Sequence, residues 1–197
     1  MDFYVNGNKI DITLENEKTI GDILRAFEEE CSKNSATTIS IFVNGKQVLA
    51  DNFDTIASQK LLEDTKFELG IVTKQEIAEA FQQEAITCRE IATKLEQIPT
   101  QLQSGKDKEA NVIINQLADI IDTICHTTSL STLFPDAYGK LCIGEKAITD
   151  FFADFATILT DFEHALQAKD TVLTGDLAEY EISPRLIAFA DAMEQTK

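Results

Sequence analysis

Apolar residues recur along this chain with two periods, and the change falls near residue 74. Before it the period is two. Phe3 and Val5 alternate with Asp2 and Tyr4, Asn6-Gly7-Asn8 offers a turn where positive φ costs little, and Ile10, Ile12 and Leu14 resume the alternation. Thr19-Ile20-Gly21-Asp22 is an acidic form of the helix-capping pattern. Ile20, Ile23, Leu24 and Phe27 follow at helical spacing, which predicts a helix over about residues 20–32 with Glu28, Glu29 and Glu30 on its solvated side. Residues 39–43 form a third predicted strand. Asn44-Gly45 is the strongest hairpin signal in the chain, and strands over residues 46–49 and 66–71 complete a β-β-α-β-β-β order.

Beyond Gln75 the period becomes 3.6. Ile77, Phe81, Ala85, Cys88, Ala92, Leu95, Ile98 and Leu102 make one stripe, with Pro99 predicting a kink or an end near Ile98. Ser104-Gly105 reads as a stop, and Ala110, Ile113, Ile114, Leu117, Ile120, Ile121 and Ile124 make a second stripe. Breaker residues predict a loop over residues 127–140. A third helix is expected from about Lys140 to Ala168, with Ile148, Phe151, Phe152, Phe155, Leu159, Phe162 and Leu166 inward. Asp170 is the expected cap of a fourth, which carries Val172, Leu173, Leu177 and a half-buried Tyr180 on its apolar face and kinks at Pro184. Four amphipathic helices on mainly short loops predict an antiparallel four-helix bundle. The expected class is therefore α+β, with domains at residues 1–73 and 74–197.

The first domain resembles the ubiquitin family. Ile12-Thr13-Leu14-Glu15, Thr19-Ile20, Ile41-Phe42 running into Gly45-Lys46-Gln47, and Phe67-Glu68-Leu69 stand in that family's order and nearly at its spacing. The resemblance implies a ubiquitin-like β-grasp fold. Ubiquitin-type modifiers and sulfur carriers end in Gly-Gly, whereas here Gly70-Ile71-Val72-Thr73 runs directly into Lys74-Gln75-Glu76, which argues against conjugation or sulfur transfer. What the resemblance leaves is recognition by the sheet face opposite the helix, where strand alternation places Tyr4 and Phe42, flanked by Ile10 and Gly70. The rival expectation is that the helical part covers this face. The segment from Lys169 to Pro184 is similar to uncharacterised bacterial helical domains. In outline only, the bundle is also similar to bacterial flagellar export chaperones.

Charge narrows the function classes. The net charge is −17, and it is carried by both halves, a field that repels nucleic acid and anionic lipid and would complement a basic protein partner. No apolar run is long enough to span a membrane, and residues 1–5 lack a basic-then-apolar leader, so a cytoplasmic protein without membrane insertion is expected. The four cysteines, Cys31, Cys88, Cys125 and Cys142, form no C-x-x-C pair and fit a reducing compartment.

Candidate chemistry is sparse. Asp161-x-x-His164 only approximates a metal pair, and Cys125-His126 are helix neighbours pointing about 100° apart. A dispersed site joining Cys142, His126 and carboxylates is the enzymatic alternative. Glu179 and Tyr180 are either a binding edge or a solvated face. The reading from sequence is a non-enzymatic adaptor or scaffold, with no catalytic, cofactor-binding or metal residues and a partner surface at Tyr4, Ile10, Phe42 and Gly70.

Overall fold

The computed structural model describes residues 1–14 and 16–195, so Glu15 of the ubiquitin-like match lies outside the described residues. The fold is mixed α+β and divides into two compact units, Met1–Glu76 and Ile77–Lys197.

In the first unit β1 (Asp2–Val5) and β2 (Asn8–Ile10) form a hairpin whose turn holds Asn6 at φ 48° and Gly7 at φ 80°. Helix α1 (Ile20–Lys33) opens on a reciprocal cap: Thr19 Oγ1 accepts from the Asp22 amide at 3.1 Å, and Asp22 Oδ2 accepts from the Thr19 amide at 3.0 Å. Strands β3 (Ala36–Val43) and β4 (Lys46–Gln47) turn through Asn44-Gly45, both at positive φ. The stretch after β4 holds a 3₁₀ turn (Ala50–Asn52) and a short helix α2 (Phe53–Ala57) before β5 (Lys66–Thr73). The sheet order is β2-β1-β5-β3-β4, with β1 parallel to β5 and the other pairs antiparallel. Phe3, Phe67, Leu69 and Val43 pack against Ile20, Ile23 and Leu24 of α1. Each such large apolar side chain contributes about 1.5–3 kcal/mol on leaving water.

In the second unit, most of α3 (Lys74–Leu95) buries the predicted stripe from Ile77 to Leu95. Pro99 sits in the first turn of α4 (Ile98–Gln103), where its missing N–H has no helical partner to lose. Helix α5 (Asp107–Ser131) runs well into the predicted loop, because Thr127 and Ser131 are inward-facing rather than breaking. A short α6 (Pro135–Tyr138) precedes a small hairpin, β6 (Cys142–Ile143) with β7 (Lys146–Ala147), turning at Gly144, φ 60°. This displaces the start of the third long helix, α7, from the expected Lys140 to Ile148, and it ends at Ala168. Asp170 caps α8 (Thr171–Asp176) by accepting from the Leu173 amide at 3.0 Å. A π-helical segment (Leu177–Ile182) then leads into α9 (Ser183–Glu194).

The inward face of this last helical stretch is a correction. Val172, Leu173 and Tyr180 are exposed, Tyr180 by 64%, and the buried residues are Thr174, Gly175, Ala178 and Ile182. Close approach explains the inversion. A Cβ at Gly175 would stand 3.1 Å from Pro99, so α4 and α8 meet through small residues and the large ones turn outward. Instead of a simple kink at Pro184, the π register widens the preceding turn, and Arg185 Nη1 donates to the Glu181 carbonyl at 2.8 Å.

Candidate functional site

Register fixes which residues share the sheet face turned from α1. Tyr4 pairs with Lys9 on one side and Glu68 on the other, Glu68 pairs with Phe42, and Phe42 with Gln47. Directly paired residues lie on one face. Phe3 is buried against α1, so the row through Tyr4 and Phe42 is on the opposite side, the two backbone positions about 10 Å apart across β5. Phe42 is 36% exposed and Tyr4 half-buried.

Gly70 belongs to the same face, paired with Ser40, and a Cβ there would collide with the Ser40 hydroxyl. Ile10 does not. It pairs with Phe3 and so takes the α1 side, at the sheet edge, where it is 37% exposed. The sequence placed it by continuing the alternation of the first strand across the turn; the hairpin register sets its face instead.

One further residue joins this face. The register slips between Thr38 and Ser40, leaving Ile39 bulged and 46% exposed, with its Cγ1 3.5 Å from where a Gly70 Cβ would stand. Alternation alone hides it, since a bulge changes the parity; Gly70 opposite a β-branched run was the available signal.

The rest of the face is ionic. Lys9 meets Asp2 at 2.6 Å, and Lys66 meets Glu68 at 2.9 Å while standing 5.1 Å from the Tyr4 ring centroid. The Lys9 ammonium holds the Asp2 carboxyl below its ordinary value, and Glu68 raises Lys66. Aromatic and aliphatic side chains thus stand among exposed charges on this face.

In the second unit the residue that stands out is Glu84 on α3. It is 3% exposed and lines a groove of about 360 Å³ between α3 and α5. Thr127 Oγ1 donates to its Oε1 at 2.5 Å, whereas Oε2 is buried with no hydrogen-bond partner. Burial pushes its carboxyl up to about 7, against the smaller opposing effect of the Thr127 hydroxyl. Sequence reasoning missed it because Glu84 adjoins Ala85 of the apolar stripe, and a carboxylate there reads as the stripe's edge.

The thiols divide two and two: Cys31 and Cys88 are buried, Cys125 and Cys142 exposed. Burial raises the Cys31 and Cys125 thiols and pushes Cys88 up to about 12. His126 on α5 and His164 on α7 are both exposed. Tyr180 hydrogen-bonds to Glu179, which raises its hydroxyl. Among the described residues no group of three or more His, Cys, Asp or Glu side chains is placed to hold a metal ion, and no helix is long and apolar enough to cross a membrane.

Residues 1–73 match the family described as the TP0873 N-terminal domain, and residues 87–192 match a domain of unknown function, DUF8042. An uncharacterised protein of Treponema pallidum (strain Nichols) is 28% identical over 193 residues, covering 98% of this chain and 96% of the relative. No solved structure matches.

Proposed function

The chain belongs to the DUF8042 family, and from that premise we propose that it is a non-enzymatic adaptor that binds another protein through the open face of its sheet. The observation that carries this reading is the row that sets Tyr4 and Phe42 on one face, with Ile39 bulged toward it. The strand order, with one helix packed on one face, supports a ubiquitin-like β-grasp domain over residues 1–73. Helices α3, α5 and α7 and the composite α8–π–α9 support an antiparallel four-helix bundle over residues 74–197. The net charge of −17 favours a partner with a basic surface and disfavours nucleic acid. Four cysteines without a paired spacing fit the cytoplasm.

The enzymatic rival needs a thiol held low by a neighbouring base; the three thiols whose values move all move up. Affinity capture from native lysate under reducing conditions tests the adaptor reading. It compares wild type with a Tyr4→Ser plus Phe42→Ser variant whose fold is verified by circular dichroism. Loss of a specific partner from the variant supports the sheet face; retention by both refutes it.

A further inference from the structure

A second surface differs from the sheet in both shape and charge. Helices α5 and α7 form the walls of a groove of about 410 Å³, lined by Ile114, Ile121 and Cys125 on one side and Leu159 and Leu166 on the other. From Ile114 to Cys125 the α5 wall runs about 16 Å, three turns of helix. The walls are mostly apolar, and the polar groups at the rim are carboxylates, Asp122 on α5 and Glu163 on α7. Neither meets a cation at ion-pair distance among the described residues.

The walls offer only His126, one turn beyond Asp122, and His164, next to Glu163, neither at ion-pair distance among the described residues. After Lys108, α5 contains no lysine or arginine, and α7 contains none along its length. Another acid of α7 does find cations: Asp154 meets Lys146 at 3.1 Å and Arg185 at 3.4 Å. The groove thus combines an apolar trough with two carboxylates that have no cation partner among the described residues, one on each wall, Glu163 accepting only the neutral Gln167 amide at 2.9 Å.

We infer that this groove takes an amphipathic helix from another protein, its apolar face in the trough and lysine or arginine side chains meeting Asp122 and Glu163. The length and lining suit anchors at i, i+4 and i+7, the spacing of a helix laid in a groove. A second copy of this chain is a poor occupant, because a symmetric contact would bring unpaired carboxylates together between two bodies of net charge −17. A fatty-acid-like anion meets the same repulsion. The inference extends the adaptor reading by adding a protein ligand on the helical unit, and it stands whether or not the sheet face binds.

Cys125 reports on occupancy, since it is exposed and lies in the wall. The test uses the full chain carrying Cys142→Ser, so that Cys125 is the remaining exposed thiol. Its alkylation rate is followed with and without designed helical peptides that share one leucine face and differ only in arginine or glutamate flanks. The arginine peptide is expected to slow alkylation about tenfold at saturation by covering the thiol. Half a molar sodium chloride weakens that protection.

Asp122→Lys plus Glu163→Lys changes only exposed rim positions and should fold. It is expected to lose about tenfold in affinity for the arginine peptide and to gain affinity for the glutamate peptide. Each variant's peptide-free rate serves as its own reference, because Asp122 itself raises the Cys125 thiol. Equal protection by both peptides, protection by laurate, or protection that grows with protein concentration alone would overturn the inference, as would no protection at all. Tyr4→Ser plus Phe42→Ser is expected to leave peptide protection unchanged, so failure of the sheet reading and failure of the groove are read separately.

Discussion

Two glutamates, one partly and one almost wholly buried, one in each unit, are served very differently by their surroundings. Glu28 on α1 collects three donors from β3: Thr37 Oγ1 at 3.0 Å, Thr38 Oγ1 at 2.6 Å and the Thr38 amide at 3.3 Å. Glu84 on α3 is more deeply buried, yet it has one donor and an oxygen with none. The difference arises from what each helix packs against. A strand end presents backbone amides and β-branched hydroxyls at close spacing, so a carboxylate arriving there is solvated by protein. A helix packed on a helix presents side chains only, its backbone donors being already used within the helix. A carboxylate between α3 and α5 therefore depends on the single hydroxyl that Thr127 supplies.

The contrast breaks most visibly with pH. Because Glu84 titrates near 7 when folded, against an ordinary value of 4.5, the folded chain holds this proton more tightly between those values. Its effect on stability is therefore most favourable below about 4.5, declines as pH rises through that window, and is flat above about 7, a loss of about 3 kcal/mol at most. Glu84→Gln keeps an acceptor for Thr127 and removes the charge. Urea unfolding at several pH values should show the variant gaining stability over wild type from pH 5 to 8, by up to about 3 kcal/mol. A constant difference across that range would contradict the assignment.

Thr127→Val strips the remaining donor. At pH 8 the loss should be about 2 kcal/mol by chemical denaturation, and the Glu84→Gln gain should be larger in that background. Glu28→Ala is milder, because Thr37 and Thr38 stand near solvent and regain water; about 1 kcal/mol is expected. The smallest effect belongs to a cluster at the solvent boundary. Arg89 reaches Asp191 at 2.6 Å and Glu194 at 3.0 Å, all exposed or nearly so, and Arg89→Ala should leave the thermal midpoint in 0.5 M salt indistinguishable from wild type.

The same distinction governs what could be read from the chain. Local signals carried through: Asn44-Gly45 turns the hairpin, Thr19 caps α1, Asp170 caps α8, and the inward stripe of α3 is continuous from Ile77 to Leu95. What failed depends on neighbours distant in sequence. Ile10 took its face from its register with Phe3. Val172, Leu173 and Tyr180 were pushed outward by the demand for small residues where α8 meets Pro99. The β6–β7 hairpin, only two residues per strand, lies below the length at which alternation is visible, though Gly144 marked its turn. Of the candidate surface, Tyr4, Phe42 and Gly70 were legible because they sit in strands of regular parity, while Ile39 was concealed by a bulge. The groove between α5 and α7 needs both helices in place, and a single helical stripe does not say which of its flanks a neighbour leaves open.

The outermost strands of the sheet are very short, three residues in β2 and two in β4, and each contributes a lysine, Lys9 and Lys46. Their unpaired amides and carbonyls offer too few positions for another chain to add itself as a strand, and the ammonium groups resist such approach. Crowding this protein should thus produce reversible side-chain contacts that dissolve on dilution, and not fibrils: a concentrated sample would stay clear and fail to bind an amyloid dye even though its sheet bears aromatic residues on the face turned from α1.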